Sequence, residues 1–211
     1  MIEIRDGNRE EGSQRTTTEG MKSIKWLNKR SYPPNVYLFR HLERGSIVYS
    51  QTPYPTASDI NTLWPQPNGT NKKPIYGSRR DLWKLMCFVK MPEYDQSNQL
   101  YRDMVYLRHM RDVKGVNVGD RVKNDMGQVW YSGQYRPVYG QEAVADLREC
   151  LLKRGSPAKE EEVVVYWEDI WRMGDESTYW TQLEKVKHKT VPRIGNTSRE
   201  ESEILKLLSS S

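Results

Sequence analysis

The sequence predicts an α+β fold: a small mixed sheet that opens β-β-α-β-α, packed with helices and carrying irregular extensions. Three observations predict it. The apolar alternating runs VYLFR (Val36 to Arg40) and IVYSQ (Ile47 to Gln51) flank the turn Glu43-Arg44-Gly45-Ser46, the pattern of a β-hairpin. LWKLMCFV (Leu82 to Val89) has the length and composition of a third strand buried on at least one face. From Asp95 to Arg111 the period becomes helical, with Leu100, Met104, Leu107 and Arg111 in one stripe and Tyr101, Val105 and Arg108 beside it.

The other elements follow in order. Tyr32-Pro33-Pro34 leads into the hairpin, and Thr56 to Leu63 reads as a short helix because Thr56 and Asp59 have capping-box spacing. Trp64 to Pro74 is a loop, since Pro65, Pro67 and Asn68-Gly69 break any regular element. A polar connector from Val113 to Gln128 precedes a strand near Val129–Tyr131, a helix from Gln141 to Lys153 stopped by Gly155, and a strand at Val163–Trp167. A final helix starts at Ser198, with Glu201 at the capping-box position, and buries Ile204, Leu205 and Leu208. The expected organisation is a flexible extension over 1–30, an α+β domain over 31–112, a linker over 113–128 and a second αβ segment over 129–211.

Composition bounds the partners. The chain has 211 residues with a formal charge of +5, and its mean hydropathy of −0.87 is low for a self-sufficient globule. Part of such a chain orders against a partner. Charge is clustered: the first twenty residues hold five acids, whereas Met21 to Arg40 holds Lys22, Lys25, Lys29, Arg30 and Arg40 with no acid. That contrast suggests Met21 as the physiological start, because a matrix-targeting segment is basic and poor in acids. A second basic run comprises Lys72, Lys73, Arg79, Arg80, Lys84 and Lys90. Such runs can neutralise a phosphate track, the rival reading being a solvated basic face.

Seven Trp and thirteen Tyr against two Phe point the same way, since their flat faces and polar tips suit stacking on bases or a wet interface. They are densest in VWYSGQYRPVY, where Trp130, Tyr131, Tyr135 and Arg136 surround Gly133 and Pro137, so a loop presents them; a core beneath the loop is the alternative. Lys72, Lys73, Arg79, Arg80, Lys25, Lys29 and Arg30 are the phosphate candidates, the Arg pair foremost because guanidinium forks onto phosphate oxygens. Trp167 and Trp171 read as core.

Much chemistry is missing. There is no Walker A loop, so an ATP-driven recombinase or helicase of that type is excluded, and no H-E-x-x-H, G-x-S-x-G or paired-Cys zinc pattern occurs. Cys87 and Cys150 lie far apart, which fits a reducing compartment rather than a disulfide scaffold. The adjacent Glu168 and Asp169 suit capping or salt bridging better than a metal. No catalytic residue, metal or cofactor is expected, and no apolar run reaches membrane-span length.

The stretches PPNVYLFRHLERGSIVYSQ (33–51), RRDLWKLMCFV (79–89), VWYSGQYRPVYGQEAVADLREC (129–150), YWEDIWRMGD (166–175) and RIGNTSREESEILK (193–206) resemble the fungal mitochondrial homologous-recombination protein family, also a component of the mitochondrial large ribosomal subunit. The resemblance implies a structural, non-enzymatic role in the mitochondrial matrix, on large-subunit rRNA and beside neighbouring ribosomal proteins. It also implies ATP-independent pairing of single-stranded with homologous double-stranded DNA, and a minor nuclear pool. A weaker resemblance, Tyr37 and Tyr49 on paired strands, is to GIY-YIG nucleases. The Arg that such enzymes need on their first helix is absent from Thr56–Leu63, which points at most to a degenerate copy of that fold.

Overall fold

The computed structural model describes residues 21–43, 45–61, 80–118, 139–154, 163–183 and 185–191. Its centre is a five-stranded mixed sheet in the order β2-β1-β3-β4-β5, built from β1 (Asn35–His41), β2 (Ile47–Ser50), β3 (Trp83–Lys90), β4 (Val163–Trp167) and β5 (Val186–Thr190). β1 to β4 are antiparallel neighbours, and β5 runs parallel to β4. The helices are α1 (Ile24–Lys29), α2 (Ala57–Asn61), α3 (Tyr94–Val118), α4 (Tyr139–Lys153) and α5 (Glu176–Tyr179), with short 3-10 turns at Arg80–Leu82 and Ile170–Met173. The α+β class, the hairpin and strands β3 and β4 are as the sequence predicts.

One face of the sheet meets α3 and α4. Val36, Leu38, Ile47, Tyr49, Cys87 and Val165 from the strands form a single buried cluster with Leu100, Tyr101 and Met104 of α3 and Ala143, Leu147, Cys150 and Leu151 of α4. The i, i+4, i+7, i+8 spacing within α4 is what puts those four on one stripe. The opposite face carries a smaller, more aromatic cluster of Tyr37, Phe39, Trp83, Leu85 and Phe88, with Tyr166 stacked on Phe88 at 4.6 Å between ring centroids.

A bulge in β3 redirects the neighbouring chain. Leu38 pairs with Cys87 but Phe39 pairs with Leu85, so Met86 is the extra residue. Leu85 and Phe88 therefore share one face although three positions apart, while Met86 and Cys87 both turn to the other. The freed carbonyl of Met86 accepts the backbone N–H of Glu168 at 2.9 Å. That bond fixes the chain as it leaves β4 and enters the 3-10 turn Ile170–Met173.

The N-terminal stretch differs from expectation. Residues 24–29, inside the segment expected as a flexible extension, form α1, capped by Ser23, whose hydroxyl accepts from the N–H of Trp26. Leu27 is 1% exposed, and the Lys22 ammonium pairs with the buried Asp59 carboxylate. The Thr56–Asp59 capping box forms reciprocally: Asp59 N–H donates to Thr56 Oγ1 at 3.2 Å and Thr56 N–H to Asp59 Oδ2 at 2.9 Å. α3 continues past Arg111 to Val118, into the expected connector; backbone hydrogen bonding carries a helix beyond its apolar stripe. The loop at 64–74, the strand near 129–131, the helix from Ser198 and residues 1–20 lie outside the described residues.

Candidate nucleic-acid interface

The structure separates the cations that are committed to the fold from those that are not. Lys22 is held by Asp59 and Thr56. Glu168 binds two others, Arg40 on β1 at 3.4 Å and Lys84 on β3 at 2.5 Å, which settles its salt-bridge role; Asp169 pairs with Arg172 at 3.5 Å. Several members of the two basic runs thus serve to close the fold. Lys25, Lys29 and Arg30 are different, for all three are exposed on or beside α1. The Arg30 guanidinium lies 5.7 Å from the Trp26 ring centroid, and Trp26 is tilted against Tyr32.

Of the other candidates, Arg80 sits in the 3-10 turn that leads into β3. Lys72, Lys73, Arg79, Trp130, Tyr131, Tyr135 and Arg136 lie outside the described residues.

A second set of groups, missed in the sequence, gathers where α4 faces the turn after β4. Trp167 is fully buried, as expected, but Trp171 is 70% exposed, so the expectation of a core role fails there. The reason is local: Trp167 points inward at the end of β4, whereas the 3-10 turn rotates Trp171 out to solvent. Arg172 stacks over Trp171 at 4.7 Å and Arg148 of α4 over Tyr179 at 5.6 Å. Between them lies a cleft of about 530 Å³ lined by Met86, Val144, Ala145, Arg148, Trp171 and Tyr179. The one signal in the sequence was W-R-M-G (Trp171 to Gly174), an aromatic next to Arg before a Gly. Gly174 has φ 80°, and a Cβ there would come within 3.1 Å of the Tyr179 ring, so only glycine lets Tyr179 close the cleft without strain.

Behind the cleft, Trp167 Nε1–H donates to His188 Nδ1 at 3.0 Å, which places the neutral ring's hydrogen on Nε2. Burial lowers the His188 pKa from 6.5, partly opposed by Glu176. Since the folded value lies below the unfolded one, the contribution of this histidine to stability is complete above pH 6.5 and declines as pH falls towards the folded pKa. Unfolding measured from pH 7.5 to 5.0 should show a loss that is smaller in His188→Gln; equal losses would show that other groups carry it.

Among the described residues no group of three or more His, Cys, Asp and Glu could hold a metal ion, and no helix is long and apolar enough to cross a membrane. Cys87 and Cys150 are both free and buried, and burial raises the Cys150 thiol to about 12. Neither is poised as a nucleophile.

Residues 33–117 match the family model described as "Transcriptional regulation of mitochondrial recombination". A protein of Kluyveromyces lactis named "Large ribosomal subunit protein mL67" is 50% identical over 184 residues, 86% of this chain and 82% of its own length. The chain belongs to the mL67 family. The Eremothecium gossypii member is 45% identical, covering 87% of this chain and 84% of its own. The Debaryomyces hansenii member is 39% identical, covering 82% and 72%. The family resemblance read from the sequence is therefore correct in both its aspects, ribosomal and recombinational.

Proposed function

We propose that this protein is a non-enzymatic, structural component of the mitochondrial large ribosomal subunit, held on ribosomal RNA by phosphate neutralisation and ring stacking. The observation that carries the reading is the repeated pairing of a guanidinium with a ring near the surface: Arg30 with Trp26, Arg172 with Trp171 and Arg148 with Tyr179. Each pair offers a cation to a phosphate and a flat face to a base, the combination that binds single-stranded segments. The name of the Kluyveromyces lactis relative supports the ribosomal setting, and the description of the family model supports a mitochondrial one. Lys25, Lys29 and Arg30 extend the cationic surface along α1. Lys72, Lys73, Arg79, Arg80, Trp130, Tyr131, Tyr135 and Arg136 belong to the same proposed contact set on the strength of their charge and rings.

Sucrose-gradient fractionation of mitochondria tests this reading. The protein should sediment with large subunits and be released as salt rises. Replacing Lys25, Lys29 and Arg30 with Ala should move release to lower salt. The log-log salt slope of RNA binding should fall by about 0.7 for each single-strand phosphate that is no longer neutralised. Protein found almost entirely in light fractions at low salt would reject the ribosomal role.

A second reading is ATP-independent pairing of homologous DNA in mitochondrial recombination. The match of 33–117 to a family described by that process favours it. Free protein would then anneal single strands to homologous duplex without nucleotide. Nuclease chemistry is not part of either reading: Tyr37 and Tyr49 sit in clusters on opposite faces of the sheet, so they do not converge on one site.

A further inference from the structure

The cleft between α4 and the turn after β4 has features that the ribosomal reading alone does not require. We propose that it receives one unpaired nucleobase of an RNA strand, stacked on the Trp171 indole, with the adjoining phosphate on Arg148; the inference rests on the RNA-binding reading above. The floor is apolar, made by the bulged Met86 with Val144 and Ala145, and two of its borders are the rings of Trp171 and Tyr179. A flat, largely apolar group fits such a slot, and the volume of about 530 Å³ leaves room for its sugar.

The rim chooses among flat groups. Arg148 donates through Nη1 to the Tyr179 carbonyl at 3.3 Å and has no carboxylate partner among the described residues. Its Nε is buried without a hydrogen-bond acceptor. The Nε of Arg172 is likewise without a hydrogen bond, although the Asp169 carboxylate lies 3.5 Å away as an ion-pair partner. Asp169 thus answers the Arg172 guanidinium, whereas the Arg148 Nε–H at the edge of the cleft makes no bond and is an unmet demand for an acceptor oxygen. A protein segment would have to bring an acidic group and a ring to this slot together; a nucleotide joins both in one unit. Trp171 is prepared for stacking as well. Arg172 covers part of the indole at 4.7 Å, and the ring remains 70% exposed, so it presents a supported face to solvent rather than a swinging side chain.

Two strands test the assignment on the full chain: an oligoadenylate RNA, and an abasic strand of the same length and charge. Wild-type protein should bind the base-bearing strand more tightly. Trp171→Ala should weaken that binding roughly five- to hundred-fold and leave the abasic strand unaffected. Trp171→Phe, which keeps a ring, should retain most of the preference. Arg148→Gln should weaken both strands. Because Trp171 is exposed, an unchanged thermal unfolding curve should accompany its replacement. If Trp171→Ala keeps the wild-type preference for bases, or weakens both strands alike, the cleft assignment is overturned while phosphate binding stands. If wild-type protein binds neither strand at low salt, the RNA-binding reading falls and the cleft assignment with it.

Discussion

Replacing Asp59 with Ala should lower the unfolding free energy by about 3–5 kcal/mol, the range for breaking a buried ion pair from one side. The Asp59 carboxylate is fully buried. It accepts from the Lys22 ammonium, from the Ser50 hydroxyl at 2.8 Å, and from the N–H and hydroxyl of Thr56 at 2.9 and 2.7 Å. Removing it strands the Lys22 charge at 13% side-chain exposure and breaks the side-chain half of the capping box, leaving the Thr56 N–H without its acceptor. The same change loosens the segment before α1, leaving Lys22 the bonds from its backbone N–H to Gln51 Oε1 at 2.7 Å and from Nζ to Thr56 Oγ1 at 3.1 Å. For a chain of this size the loss should lower Tm by roughly 10 °C. Combining Lys22→Met with Asp59→Leu should recover much of it, since a pair replaced by apolar groups leaves no unpaired charge. Denaturant unfolding of the single and double variants measures this. A single variant within about 1 kcal/mol of wild type would show that water reaches the pair.

Trp167→Ala should cost a similar amount, about 3–5 kcal/mol, for a different reason. The Trp167 side chain is fully buried, lies edge-on to Trp180 at 6.3 Å, and holds His188 through its indole N–H. Deleting it opens a cavity where β4, β5 and the cleft-bearing turn meet. Trp167→Phe keeps most of the volume but leaves His188 Nδ1 without its donor, so it should cost about 1–3 kcal/mol. The pair of variants separates packing from hydrogen bonding. Equal losses in both would mean the hydrogen bond dominates. The alanine variant should also blunt the proposed RNA binding at the cleft, because the turn from Glu168 to Met173 is anchored by the strand before it and by the Met86 carbonyl.

The contrast between Trp167 and Trp171 shows where sequence reasoning stops. Both stand in one short stretch, YWEDIW, and composition treats them alike. One is entirely buried and the other 70% exposed, because a 3-10 turn begins between them. The basic residues behave in the same way. Lys22, Arg40 and Lys84 belong to runs that look like one phosphate track, yet each is neutralised by a carboxylate distant in sequence: Lys22 and Asp59 are 37 positions apart, and Arg40 and Glu168 are 128 apart. Lys25, Lys29 and Arg30 keep the exposure expected of them.

The strands β1 to β4, the capped start of α2, the body of α3 and α4, and the family were all legible in the order of residues. Those are local properties: strand alternation, helical spacing and capping act over a few residues, and distinctive Trp- and Tyr-rich stretches identify kinship without any coordinates. β5 escaped, since VKHKT has no apolar alternation and becomes a strand only because β4 offers it an edge. Tertiary structure alone decided which charges are spent inside the fold, which tryptophan faces solvent, and that the bulge at Met86 opens a cleft lined by two arginine-backed rings. Each depends on groups brought together from separate parts of the chain, and side-chain burial and ion pairing are set by those long-range neighbours.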